Sequence, residues 1–297
     1  MSMNAVEVEE LVKHYGSFAL SGLSFTVPKG YITGLIGPNG AGKSTVIKAI
    51  MGMVLPEEGR ITVLGNAVTG KEGSYKQQIG YISDESIYYE YLSMEQMKRI
   101  VAPFYDRWDE ALFTKYMELF ELPKRKKIKD CSKGMKMKFA IAMALAHHPK
   151  LLIMDEPTAG LDPVFRRELL DLLAEYILDE NNTILFSTHL TTDLDRVADY
   201  VTFLNRGELV FSDSKDEVLE RYVIVKGSRE LLDPDVRREL VGVRETAVGF
   251  EALAKDQERA QALFGANALF ERPTLEEIMY YTAKGGNVNA SSHPFGS

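Results

Sequence analysis

Apolar and polar residues alternate over positions 6–12 and 24–27, the two-residue period of half-buried strands. Pro28, Lys29 and Gly30 then turn the chain into an apolar strand at 31–36. Past a glycine-rich stretch, Val46, Ile47, Ile50 and Met51 return at helical spacing. Short strands are expected at 61–64 and 79–82. Between 93 and 121 the period is helical, carried by Met94, Met97, Ile100, Leu112, Met117, Leu119 and Phe120, and Pro103 with 106–109 divides it into two helices. A helix opens after Cys131 with Phe139, Ile141, Met143, Ala144 and Leu145 inward. The unbroken apolar run at 151–154 predicts a buried parallel strand. A helix at 164–177 and an apolar strand at 183–187 follow. Arg206 and Gly207 turn a hairpin between 200–204 and 208–211. Further on the pattern thins to helices at 216–221, 235–240 and 257–263 and a strand at 222–225. Strands alternating with helices predict an α/β core.

Composition narrows the reading. At 297 residues and 45% hydrophobic content the chain can bury a full core and divide into two or three lobes. A net charge of −8 argues against a dedicated nucleic-acid binder. One cysteine, Cys131, excludes an intramolecular disulfide and fits a reducing compartment. With neither an eighteen-residue apolar run nor a basic-then-apolar leader, the chain is expected to be soluble and to reach a membrane through a partner. Residues 286–297 read as a disordered tail.

The chemistry concentrates first at Gly37, Pro38, Asn39, Gly40, Ala41, Gly42, Lys43, Ser44 and Thr45, between the strand at 31–36 and the helix after it. Glycines let the backbone wrap and turn its N–H groups inward, the Lys43 ammonium adds charge, and the Ser44 hydroxyl is placed for magnesium. This is a triphosphate cradle. The second concentration is Asp155 and Glu156 at the tip of a buried strand, one placed to serve magnesium and the other to orient and deprotonate a water. His189 ends the neighbouring strand as a γ-phosphate contact. Ser132 and Gly134 open a helix whose N-terminus suits an anion, or simply caps itself. Tyr15 offers a ring for stacking on adenine, or is a plain loop tyrosine. His147 and His148 are expected to serve the helix C-terminus in preference to a metal. The run Lys124, Arg125, Lys126, Lys127, Ile128, Lys129 is read as solvated surface, with an anionic lipid or partner as the second reading.

In this order, from Tyr15 through the glycine loop, 83–85, Cys131 to Met135, 151–156, Leu161 with Asp162, and His189, these pieces resemble the ATP-binding subunit of ABC transporters over roughly residues 4–220. In detail the chain resembles the exporter ATPases for drugs and for antimicrobial or toxic peptides, such as that of the phenol-soluble-modulin exporter. The resemblance implies a P-loop NTPase core with an antiparallel β subdomain and an α-helical subdomain (about 86–147), together spanning 1–213. Beyond the resemblance, residues 214–285 read as a small α+β accessory lobe, with help in dimerisation as its expected role. The resemblance also implies ATP and Mg2+ as cofactors, with Ser44, Asp84 and Asp155 serving the metal. Tyr15 would stack on adenine, Glu156 would be the catalytic carboxylate and His189 the γ-phosphate sensor. Ser132 and Gly134 would complete the site of the opposite subunit, with Asp162 coupling the two sites. A transmembrane permease subunit, a homodimer or heterodimer of ATP-binding subunits, and a place on the inner face of the cell membrane are implied as well. Two departures stand out. Cys131, Lys133 and Met135 replace the usual signature neighbours, and Asp84 stands where the family has a glutamine; Gln77 and Gln78, just upstream, are poor substitutes for it. Beside that position, Tyr89 or Tyr91 is expected to touch the membrane subunit, with internal packing against the Met94 helix as the other reading. A non-transport ABC protein of ribosomes or DNA would need a second nucleotide domain or basic surfaces, and a P-loop kinase or GTPase would lack the 132–135 signature.

Overall fold

The computed structural model describes residues 3–70, 73–83 and 88–285. The chain divides into two compact units, Met1–Ser212 and Asp213–Ser297.

The first unit begins with β1 (Asn4–Tyr15) and β2 (Phe18–Pro28), an antiparallel pair, followed by β3 (Ile32–Ile36) and α1 (Lys43–Ile50). Then come β4 (Glu58–Val63), β5 (Asn66–Ala67) and β6 (Ile79–Ser83). Three helices follow, α2 (Met94–Val101), α3 (Glu110–Leu119) and α4 (Lys133–Leu145). The unit closes with β7 (Leu151–Asp155), α5 (Pro163–Tyr176), β8 (Thr183–Thr188), α6 (Thr191–Val197), β9 (Tyr200–Asn205) and β10 (Glu208–Ser214). One sheet runs β2-β1-β4-β5 and the other β10-β9-β3-β8-β7-β6, so the expected hairpin adds its second strand at the sheet edge.

Every residue of β3, β7 and β8 is buried, which is why these strands read as apolar runs without alternation. Their register aligns the strand ends: Ser83 faces Asp155, Asp155 faces Ser187, and Ile36 faces Thr188. In an open parallel sheet the crevice beyond those carboxyl ends is where ligands bind. Val46, Ile47 and Ile50 of α1 pack into the core shared with β1, β2 and β4, while Met51 is only partly buried.

The helical region has its own core of Met94, Met97, Phe113, Met117, Phe139 and Met143. Its helices start where side chains satisfy free N–H groups. Ser93 and Gln96 form a reciprocal capping box on α2, and Asp109 accepts from the Leu112 amide on α3. Ile100 and Leu119, expected inward, are 43% and 61% exposed. Leu119 lies two residues past buried Met117, and residues two apart on a helix do not share a face.

The paired histidines sit just past the end of α4 and tie it to its neighbours. His148 bonds Asp109 at 3.1 Å, and His147 is buried, 3.1 Å from the Ile79 carbonyl and stacked on Tyr105 at 3.9 Å. Burial, helped by the neighbouring His148, lowers the His147 pKa from its ordinary 6.5, against the opposing pull of backbone hydrogen bonds to Ile79 and Met143. The unfolded chain therefore takes the proton first as pH falls. Stability from this group is complete above 6.5 and declines below it, with a slope no steeper than about 1.4 kcal/mol per pH unit. A His147→Gln variant should show a flatter fall in melting temperature between neutral and mildly acidic pH; an unchanged slope would assign the acid sensitivity elsewhere.

The second unit holds α7 (Lys215–Arg221), β11 (Val223–Gly227), α8 (Pro234–Glu239), β12 (Leu240–Glu245), β13 (Phe250–Ala254), α9 (Gln257–Phe264), β14 (Ala268–Glu271) and α10 (Leu275–Gly285). Its four-stranded sheet, ordered β12-β13-β11-β14, is antiparallel at every pairing and packs over Val223, Val225, Phe250, Ala252 and Phe264.

Candidate nucleotide site

The loop from β3 into α1 is built by steric demand. A Cβ on Gly37 would stand 2.3 Å from the Leu204 carbonyl oxygen, and one on Gly42 would stand 2.6 Å from the Leu20 side chain. Gly42, at φ 106°, is also the N-cap of α1. Only glycine meets both conditions. The Gly207 amide bonds the Ala41 carbonyl from behind at 3.1 Å, while the Ala41 amide reaches Pro38 at 3.1 Å. Asn39, Gly40 and Ser44 face solvent, Thr45 is half-buried, and Pro38 is half-buried at the loop's start.

Lys43 is buried, and its ammonium donates to the Gly37 carbonyl at 2.8 Å and lies 3.2 Å from Glu156 Oε1. Glu156 follows β7 in a left-handed conformation, φ 50°. A non-glycine residue there is costly, and such strain gathers where geometry matters more than local comfort. Its amide bonds the Ser187 carbonyl at 3.1 Å, fixing the turn. Glu156 Oε2 meets His189 Nδ1 at 2.8 Å and accepts from the His189 amide at 3.3 Å. Asp155 is buried, and its Oδ1 accepts the Ser187 hydroxyl at 2.5 Å. Lys43, Glu156 and His189 thus touch in series at the carboxyl end of the sheet, with Asp155 beside Glu156 at the tip of β7.

This donor set fits a magnesium–nucleotide. A loop that only glycines can wrap, one ammonium and a strand-tip carboxylate supply anion and cation sites together. No group of three or more His, Cys, Asp or Glu side chains that could hold a metal occurs among the described residues. Magnesium needs none, because it takes one or two protein oxygens and completes its shell with phosphate oxygens and water.

Tyr15 ends β1 at a hairpin tip, 44% exposed, with Lys13 Nζ 5.9 Å from its ring centroid. Glu57 ties that tip down, at 2.6 Å from His14 Nδ1 and 3.1 Å from Lys13. Those hydrogen bonds, His14 first, hold its pKa down to about 2.

Ser132 caps α4 through the Met135 amide at 3.2 Å. Asp162 caps α5 through the Val164 and Phe165 amides. Asp84 lies outside the described residues. Gln77 spends its amide on Phe104 and Asp106, at 2.6 and 3.1 Å, as a structural bridge. Of the aromatic stretch, Tyr88 packs edge-on against Phe139 at 5.1 Å, whereas Tyr89 and Tyr91 are 69% and 76% exposed.

Two contributors escaped the sequence reading. Ser187, holding Asp155, is recognisable only once β7 and β8 are in register. Arg166 binds buried Asp193 at 2.6 Å and the Thr192 hydroxyl at 2.9 Å, joining the helix after Asp162 to the helix after His189. Nothing in their spacing announces that pair.

Residues 20–159 match the family described as ABC transporter. The linearmycin resistance ATP-binding protein of Bacillus subtilis is 34% identical over 224 residues, covering 73% of this chain and 71% of that protein. A Nod factor export ATP-binding protein from a Rhizobium species is 29% identical over 294 residues, covering 94% and 96%. Among solved structures, the ATP binding subunit of an ABC transporter superimposes with a TM-score of 0.66 at 32% identity, covering 72% of this chain and 91% of that one.

Proposed function

This chain belongs to the ABC transporter ATP-binding family and is an ABC-type ATPase, and from that premise we propose that it powers an exporter of drugs or peptides through a separate transmembrane subunit. Two relatives named for linearmycin resistance and for Nod factor export support the outward direction. Among the described residues no helix is long and apolar enough to cross a membrane, which leaves passage of the cargo to a partner. The observation that carries the reading is the run of contacts Lys43–Glu156–His189 at the carboxyl edge of the sheet.

In this proposal the loop amides and Lys43 bind the phosphates of ATP, and Ser44 and Asp155 hold Mg2+, which neutralises phosphate charge when bound. Tyr15 stacks on adenine. Glu156 accepts a proton from the attacking water, oriented by His189, which also reads the γ-phosphate. Asp84 serves the metal or the coupling path, and Tyr89 or Tyr91 contacts the membrane subunit.

Ser132 and Gly134 act on the opposite subunit of a dimer, either two copies or this chain with a second ATP-binding subunit, and Asp162 couples the sites. Gly134 supports this assignment. A Cβ there would meet nothing nearer than Phe165 at 3.8 Å, so the chain's own packing leaves room for a side chain. An acid in the first helical turn would even favour the α4 N-terminus. Gly134→Asp should therefore melt at or above the parent temperature and keep ATP binding, while hydrolysis falls at least ~100-fold, the scale of losing an oriented anion contact. Calorimetry beside a phosphate-release assay checks it. Full hydrolysis by the folded variant would remove this helix from the site.

Competing assignment to a ribosome- or DNA-directed ABC protein predicts association with nucleic acid at physiological salt. Co-purification with the membrane subunit, followed by ATPase stimulation across candidate drugs and peptides, separates the two.

A further inference from the structure

In a chain of net charge −8, five of the six residues from Lys124 to Lys129 are cationic. The fold puts this run on the surface in one fixed place. Leu122 before the run and Ile128 within it are buried anchors, and positions 123–127 and 129 are exposed. Backbone hydrogen bonds lash the run along the tyrosine stretch: Ile128 N to Leu92 O, Lys129 N to Glu90 O, and Met94 N to Lys126 O, at 2.9, 2.9 and 3.3 Å. Ser93 and Lys127 form an antiparallel bridge. The result is a narrow ribbon showing two tyrosines on one strand and cations on the other, with Lys129 lying 5.2 Å from the Tyr91 ring centroid.

These charges are only lightly engaged inside the molecule, Lys129 by the Tyr91 ring and Lys124 by the field of Glu110, which Lys98 already holds at 2.7 Å. Among the described residues Lys124, Arg125, Lys127 and Lys129 have no acidic partner within ion-pair distance, and Lys126 leans only on the Met135 sulfur at 3.8 Å. Exposed Glu121 and Asp130 flank the run and offset part of its field, and Glu90 is engaged by Lys136 at 3.2 Å. A surplus of cations remains beside two exposed tyrosines.

We propose that this basic run is a docking site for anionic phospholipid headgroups at the membrane surface, next to the tyrosines that receive the membrane subunit. Its placement rests on the reading of Tyr89 and Tyr91 given above; its chemistry does not. Cations near an anionic leaflet are each worth about a fivefold gain in partition, and tyrosine is at home at headgroup depth. The overall −8 charge opposes non-specific approach to an anionic surface, so binding there needs a local surplus of cations such as this run.

The full chain, without its membrane subunit, should co-sediment at low salt with vesicles of phosphatidylglycerol and phosphatidylcholine, and not with phosphatidylcholine alone. Binding should weaken steeply as salt rises. Arg125→Gln with Lys127→Gln should lower the partition coefficient about thirtyfold while basal ATP hydrolysis is unchanged. No preference for anionic vesicles, or equal binding by the double variant, would overturn the proposal. Separately, Tyr89→Ala with Tyr91→Ala is scored for complex formation with the membrane subunit. An intact complex there, with anionic vesicles binding the parent chain, overturns the tyrosine docking alone; a lost complex, with the parent chain showing no preference for anionic vesicles, overturns the lipid site alone.

Discussion

Glu156→Gln is expected to slow ATP turnover by roughly two to four orders of magnitude, the range for removing a positioned general base, while leaving ATP bound. Glutamine keeps the size and both polar ends of the side chain, so the turn at φ 50° and the amide bond to Ser187 need not move. What disappears is the negative charge. The proton acceptor for water is lost, and Lys43 no longer has a carboxylate at 3.2 Å to compete with phosphate. Hydrolysis therefore falls and nucleotide affinity holds or rises. Single-turnover phosphate release alongside equilibrium nucleotide binding measures the two effects separately. Parent-like turnover would move the base to another residue; loss of binding together with turnover would make Glu156 structural.

Lys43→Met should have the opposite profile. The ammonium is 6% exposed and is held by a loop carbonyl at 2.8 Å and by Glu156. Methionine retains much of the aliphatic stem but delivers no charge to a polyphosphate. ATP affinity should drop at least ~100-fold, the worth of about 3 kcal/mol from a charge-assisted contact. The Gly37 carbonyl and Glu156 also lose their partner, which should cost about 1–3 kcal/mol of stability. Adding Glu156→Gln to Lys43→Met should recover most of that stability and none of the binding. Denaturation midpoints for the two single variants and the double variant, with binding curves, test this. If Lys43→Met binds ATP as the parent does, the cradle assignment fails.

Much of the fold was legible because buried parallel strands announce themselves as apolar runs. The stretches at 151–154 and 183–187 became β7 and β8 with only their ends adjusted. The glycines at 37 and 42 were legible for a related reason, since backbone at those points leaves no room for a Cβ. The apolar pattern extends to Tyr31, but the strand starts at Ile32, and Tyr31 packs edge-on against Tyr200 at 5.3 Å and is 45% exposed. Leu64 was read as strand but turns the chain at φ 48°. Both are aliphatic or aromatic residues beside a strand, where composition alone does not mark the boundary.

The second unit was the least legible. β12, β13 and β14 escaped the pattern, and α10 gave no expected element. β12 carries Gly242, whose Cβ would stand 2.6 Å from the Tyr281 carbonyl, so packing against α10 decides that strand. β14 is a four-residue edge strand with alternating half-buried and exposed positions. Such strands exist because a neighbour pairs with them, a long-range fact with little local signature. Ser187 and the Arg166–Asp193 pair were hidden for the same reason, as each acquires its role from a residue more than twenty positions away.

That two subunits share each nucleotide is most directly tested by mixing Lys43→Met with Gly134→Asp, each inactive alone. In a mixed dimer one site joins the sound Lys43 loop of one copy to the sound Gly134 helix of the other. With random pairing, ATPase activity should return to roughly a quarter of the parent level, because half of the pairs are mixed and each mixed pair has one good site of two. Activity no greater than the sum of the two variants, in a sample where mass measurement shows mixed dimers, would contradict the shared site.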